Sequence, residues 1–202
     1  MSLSKTLSAL LLSLPLACSG GNPVIDLRGD EVIVPDDSPV MRWDHLPHGY
    51  HWTDKAMNFV QFGVGQPLTE IVPRDIAAWC PTYPENNAKM RAAFWVGLLS
   101  AMAKHESTWN PKAVGGGGQW FGLVQISPAT ARGYDCLAIS GEALKDGVSN
   151  LSCAIRIMAH TVPRDGVVAE GMRGVAADWG PFHSASKRAE MAAWTTQQSY
   201  CR

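Results

Sequence analysis

The chain reads as a mainly α domain with at most a small β element. Three observations predict this. Apolar residues recur at helical spacing in several separate segments. Helix-start residues stand before those segments. Strand-like pairing is suggested only between residues 118 and 126. The 202 residues, 46% hydrophobic and 17% charged, are enough for one domain with a real core.

The elements follow in order. Residues 53–63 read as a short helix, with Thr53 as its cap and Ala56, Phe59 and Val60 as its apolar stripe. Pro73 to Trp79 reads as a second, ending near Cys80-Pro81. A long helix runs from about Asn87, whose side chain can cap it, through Leu98, Met102 and Glu106. Ser127-Pro128 is a helix start, with Ser as cap and Pro at the first helical position. Asn150 opens a further helix, with Leu151, Ala154, Ile155 and Met158 on one face. Gly166 to Trp179 reads as another, loosened by Gly171 and Gly174. Ser186 to Gln198 forms a helical tail with Trp194 turned inward.

The N-terminus has the pattern of an export signal. Lys5 supplies a positive charge, Leu7 to Leu16 an apolar run, and Ala17-Cys18-Ser19-Gly20-Gly21 small residues for cleavage. Cys18 resembles the lipidated cysteine of bacterial lipoproteins, although Pro15 stands where that motif prefers Leu. Residues 19–50, rich in Asp, Pro and Gly, read as a linker. The expected division is therefore a signal peptide at 1–18, a linker at 19–50 and a catalytic domain at 51–202. Cys80, Cys136, Cys153 and Cys201 remain, an even number that suggests disulfides in an exported chain. Of three possible pairings, Cys136–Cys153 is favoured because both residues flank the segment between two expected helices, which leaves Cys80–Cys201. No CxxC pair occurs, so no zinc site is expected. His45, His48 and His51 recur every third residue beside Trp43 and Trp52, a pattern that suits a polar loop better than a metal site. A net charge of −1 gives no electrostatic reason to expect nucleic acid as a partner.

Glu106 carries the chemistry. It closes an apolar helical stripe, so its carboxyl lies on a face that otherwise packs into a core. Burial disfavours the charged form, and a carboxyl that keeps its proton near neutrality can serve as a general acid. Ser107 follows it, then a Gly-rich loop at 115–118, then Gly122-Leu123-Val124-Gln125-Ile126. This order and spacing resemble the catalytic domain of the soluble lytic transglycosylases (SLT), relatives of goose-type lysozyme. The family's Glu-Ser pair matches Glu106-Ser107. Its Gly-Leu-Met-Gln-Ile motif matches Gly122 to Ile126, with Val124 in the Met place. The resemblance covers roughly residues 88–183 and implies a lysozyme-like α+β fold with the small β element beside an active-site cleft.

The same resemblance implies site residues. Ser107 is placed to hold a substrate N-acetyl or hydroxyl group, or else to bond the helix backbone. Gln125 is placed to touch the Glu or the sugar, or else faces solvent. The family's late Ala-Tyr-Asn motif, whose Tyr bonds the catalytic Glu, falls on Ala177-Asp178-Trp179. Asp178 in the Tyr place could share a proton with Glu106, or point away while Trp179 fills the core. Flat aromatic faces suit sugar stacking, which makes Trp120 and Trp179 candidate glycan contacts.

Most glycosidases use two carboxylates, but the first acid after Glu106 is Asp135, beyond the motif. A single-carboxylate mechanism fits better. The family resemblance implies cleavage of the MurNAc–GlcNAc bond of peptidoglycan, with the substrate N-acetyl group stabilising the sugar cation and closure of a 1,6-anhydro ring. The alternatives are a hydrolytic muramidase on the same fold, or a catalytically weak murein-binding or secretion-assembly protein. The expected partners are peptidoglycan glycan strands, and the membrane if Cys18 is lipidated. The expected location is the periplasm, on an outer-membrane anchor, and no cofactor is expected.

Overall fold

The structure is a computed structural model. It describes residues 22–25, 31–34 and 37–202, with side chains from Asp37 onward. The expected signal segment and Cys18 lie outside the described residues. Within the expected linker, Asn22–Ile25 (β1) and Glu31–Val34 (β2) pair as an antiparallel hairpin, so strand pairing is not confined to 118–126.

The domain is built around one helix, Ala88–Ser107 (α3). Its N-cap is as expected: the Asn87 side chain accepts from the Met90 amide at 3.0 Å. Every residue from Ala92 to Ala103 is buried. A helix apolar on all sides has to be enclosed, and this one is. Gly49–Phe62 (α1), Gln66–Glu70 (α2) and Ala185–Thr196 (α6) pack against it, and Gly147–Asp165 (α5) packs on α1 and α2. Trp95, fully buried, donates from its indole to the Leu68 carbonyl and the Tyr83 hydroxyl, both at 2.9 Å. Gly97 has no side chain because the Tyr200 hydroxyl and the Trp194 ring lie against its Cα.

Several expectations are corrected. The folded domain starts before His51: Met41 and Trp43 are buried in the core. Trp43 donates to Thr53 Oγ1 at 2.9 Å, and that hydroxyl donates to the Gly49 carbonyl. Thr53 is therefore a buried hydrogen-bond relay inside α1, not its cap. His45 meets Trp109 edge-on and His48 stacks on Trp52, so these imidazoles pack against aromatic rings. Pro73 to Trp79 contains only a 3₁₀ turn at Ile76–Ala78. Asp146, not Asn150, caps α5, accepting from the Ser149 amide at 2.8 Å. Residues 166–179 are not one helix but two short 3₁₀ turns. Gly166, Gly171, Met172 and Gly174 have positive φ there, which breaks any α run. Asp75 holds this irregular stretch by accepting from the Val168, Ala169 and Glu170 amides at 2.6–2.9 Å.

Other elements form as read. Ser127 caps Pro128–Gly133 (α4) by accepting from the Thr130 amide. Ser184 caps α6, and Trp194 is partly buried against the core. Val114–Gly115 (β3) and Trp120–Phe121 (β4) form the small β element. Both disulfides form as favoured. Cys136–Cys153 ties the segment after α4 to α5, and Cys80–Cys201 pins the tail. Among the described residues, no helix is long and apolar enough to cross a membrane.

Candidate active site

Glu106 stands where α3 leaves the core. The residues up to Ala103 are buried; Lys104 to Ser107 are half-buried. Its carboxyl accepts no hydrogen bond from any described residue. Burial pushes its pKa up from 4.5 to about 7, while the nearby Lys187 ammonium pulls it down. A carboxyl poised there holds a proton and can take one back within a single cycle.

The helix stops sharply behind it. Thr108 and Trp109 both take left-handed conformations (φ 52° and 58°), and their amides return to the Ala103 carbonyl. The Trp109 indole donates to the Ser100 carbonyl at 2.8 Å, folding the exit strand back on α3. Ser107 donates to the Leu123 carbonyl at 2.7 Å. The residue after the acid is thus a tie between the helix and the 122–126 segment.

The 122–126 segment is held from three directions. Asn150, fully buried in the first turn of α5, donates to the Phe121 and Leu144 carbonyls and accepts from the Val124 amide, each at 3.0 Å. Gly122 has φ +83°, and a side chain there would collide with the Leu144 carbonyl and the Asn150 amide. Trp179 donates from its indole to the Val124 carbonyl at 2.8 Å. Gln125, itself at φ 51°, donates to the Gly122 and Ala113 carbonyls at 3.0 and 3.3 Å. Its Oε1 lies against Gly115, which has room for it only because it lacks a side chain. Gln125 therefore braces the loop and makes no hydrogen bond with Glu106.

Of the two alternatives for Asp178 and Trp179, the structure takes the one in which Asp178 turns away and Trp179 fills the core, which removes Trp179 as a glycan contact. Trp179 is 3% exposed, so its ring has no face to offer a sugar; it fills the core beneath the motif. Asp178 points away from Glu106, accepting from the Tyr134 hydroxyl at 3.1 Å. Burial raises its pKa, and Arg164 and His160 beside it pull it down; Glu106 has no part in that balance. Trp120 is different. It is 46% exposed, and its ring lies against Gly116. Asn150 is the positioning residue that sequence reading placed only as a helix start. Its signal was a polar residue directly before an apolar stripe, which does not distinguish a cap from a buried brace. Among the described residues, no cluster of three His, Cys, Asp or Glu could hold a metal.

The family model for the transglycosylase SLT domain matches residues 84–169. That span holds α3, the Glu-Ser pair, the 122–126 loop and Asn150. That stretch, less than half of the chain, is similar to the SLT family. Solved structures agree on the fold. Two glutamate-to-glutamine mutants of DslA are 26% identical to this chain, with TM-scores of 0.73 and 0.74; each alignment covers 83% of this chain and 100% of that one. A wild-type form of DslA, 24% identical over the same shares, has a TM-score of 0.70. No curated protein matches the chain.

Two outcomes follow. Asn150→Ala leaves one amide and two carbonyls without their buried partner. It should destabilise the protein by about 2–4 kcal/mol, read as a fall in denaturation midpoint; a change within about 0.5 kcal/mol would show that the loop does not depend on Asn150. The second concerns pH. Because the folded state raises the Glu106 pKa, its stabilising contribution is complete below about 4.5 and is lost as pH rises through about 7. Glu106→Gln stays neutral, so it should match wild-type stability in acid and exceed it by roughly 2–3 kcal/mol above neutrality. Parallel stability curves across that range would contradict a buried, neutral Glu106.

Proposed function

We propose that this SLT-like domain is a peptidoglycan lytic transglycosylase, cleaving the MurNAc–GlcNAc bond and leaving a 1,6-anhydro-MurNAc end. The observation that carries this reading is Glu106 as a half-buried carboxyl poised near neutrality that accepts no hydrogen bond among the described residues, with Asp178 bonded to Tyr134 instead. In the first half, Glu106 gives its proton to the GlcNAc oxygen as the bond to MurNAc C1 breaks. The N-acetyl group of the same MurNAc supports the positive centre from within the substrate. In the second half, Glu106 takes the proton of the MurNAc 6-hydroxyl as that oxygen bonds to C1. Glu106 ends protonated, as it began, and no water is consumed. The exposed face of Trp120 is the stacking surface for the strand, and Ser107 presents its free lone pairs to a substrate amide.

The two disulfides suit an oxidising compartment, and with the N-terminal pattern they support export to the periplasm on a Cys18 lipid anchor. Cys18→Ser should move the protein from the membrane to the soluble periplasmic fraction, or block its processing. Unchanged fractionation and processing would instead favour cleavage without lipid.

The reaction is tested on purified sacculi. Mass analysis of the released muropeptides should show anhydro ends, lighter by one water than reducing ends. Folded Glu106→Gln should release nothing measurable. Reducing ends, together with loss of activity in Asp135→Asn or Asp178→Asn, would replace this reading with a hydrolytic two-carboxylate muramidase. A folded, inert wild-type protein that still binds sacculi would favour a murein-binding role.

A further inference from the structure

A groove of about 520 Å³ lies along α5, and Glu106 does not line it. One wall is α5 itself. Arg156 and His160 stand four residues apart, so they leave the same face of the helix, and Ala159 beside them adds little bulk. A second wall is the end of α4, at Tyr134 and Asp135. Two contacts hold these walls together. The Cys136–Cys153 disulfide joins the residue after Asp135 to the turn of α5 just before Arg156. The Tyr134 ring meets the His160 ring edge-on, with 5.5 Å between centroids. The third side is the α1–α2 turn, at Val64 and Pro67. It comes close to α5 because Gly65 has no side chain to collide with Ile155.

Two opposite charges line this groove without a partner. Arg156 is half-buried and makes no ion pair or side-chain hydrogen bond among the described residues, although its guanidinium carries five N–H donors. The Asp135 carboxylate is exposed and likewise pairs with no cation and accepts no hydrogen bond among them. The two share one groove, yet they do not reach each other. The charges around them are engaged. Arg164 bonds Asp165 twice, Asp178 accepts from the Tyr134 hydroxyl, and Arg132 donates to the Ile139 carbonyl. The backbone adds an independent observation. Asp135 is held at φ 53°, in the left-handed region that residues with side chains seldom occupy. Such a conformation persists where the surrounding structure fixes it, and here the disulfide at Cys136 does so.

We propose that this groove binds a zwitterion of the amino-acid or peptide class, with its carboxylate on Arg156 and its ammonium on Asp135. A guanidinium takes a carboxylate through two parallel hydrogen bonds, and a carboxylate accepts what an ammonium donates. A ligand with both charges bridges two groups that cannot pair with each other. A simple anion meets Asp135 and a simple cation meets Arg156, so each is disfavoured, and a neutral sugar uses neither charge. The assignment depends neither on Glu106 being an acid catalyst nor on murein being the substrate.

The test uses alanylalanine, in its L,L and D,D forms, titrated into the full chain at low salt and followed through the backbone amide signals by NMR. At least one form should shift the amides of residues 133–136 and 156–160 saturably, with a Kd on the order of 1–10 mM. The N-acetylated and the C-amidated dipeptides each lack one charge and should bind about threefold more weakly, or worse. Asp135→Asn keeps a residue that tolerates the left-handed conformation. It should weaken alanylalanine by a similar factor and leave the N-acetylated form unchanged, since that form has no ammonium to lose. Arg156→Gln should weaken alanylalanine and leave the C-amidated form unchanged. Amide signals outside the groove that overlay on wild type show that each variant is folded. Three results would overturn the site: no saturable shift in these residues by about 50 mM of either form, equal binding of the charged and blocked dipeptides, or folded variants that bind as wild type does.

Discussion

The enclosure of α3 is the constraint on which the rest of the structure depends. Twelve consecutive residues, Ala92 to Ala103, are buried, so helices must cover the segment on every side. Covering it brings in α1, α2 and α6, and also the N-terminal strap through Met41 and Trp43. Its end is as important as its middle. Where the cover stops, one turn emerges half-buried, and Glu106 sits in it. The same packing that stabilises the domain therefore raises the affinity of that carboxyl for its proton.

A second constraint shapes the loop facing Glu106. Residues 121–126 form a short loop closed by one bridge, in which the Phe121 and Ile126 backbone groups bond each other at 3.0 Å. Asn150, Gln125, Ser107 and Trp179 bond the loop with side chains drawn from four different parts of the chain. Each of these polar side chains spends its hydrogen bonds on backbone. Together with the bridge, these bonds let the loop hold two residues at positive φ, Gly122 and Gln125. Beside this braced loop, Trp120 is an exposed aromatic side chain.

Charge is arranged around the end of α3 with some economy. Glu190 gathers Arg42, Lys104 and His105, and its pKa is held well below the usual carboxylate range by them, the Arg42 contact first. That cluster fastens α6 to α3 and to the N-terminal strap at one point. The disulfides act at the opposite scale: Cys80–Cys201 closes a separation of 121 residues and keeps Tyr200 seated beside Gly97.

The long apolar stripe from Ala92 to Met102 determined α3 by itself, because no other arrangement buries so many side chains in sequence. Local side-chain chemistry likewise determined its Asn87 cap and the Ser127-Pro128 start, since a cap needs only residues a few positions apart. The position of Glu106 at the end of that stripe, followed by Ser107 and the 122–126 motif, made the candidate acid legible as well. The partners of the motif were not legible. Whether Asn150 caps a helix or braces a loop, whether Trp179 faces a sugar or the core, and whether Asp178 turns to Glu106 or to Tyr134 depend on residues 26 to 55 positions away. The start of the domain at residues 37–43 was hidden for a related reason: two buried side chains in a Pro- and Asp-rich stretch give no periodicity, and only the packed α3 surface decides that they belong to it.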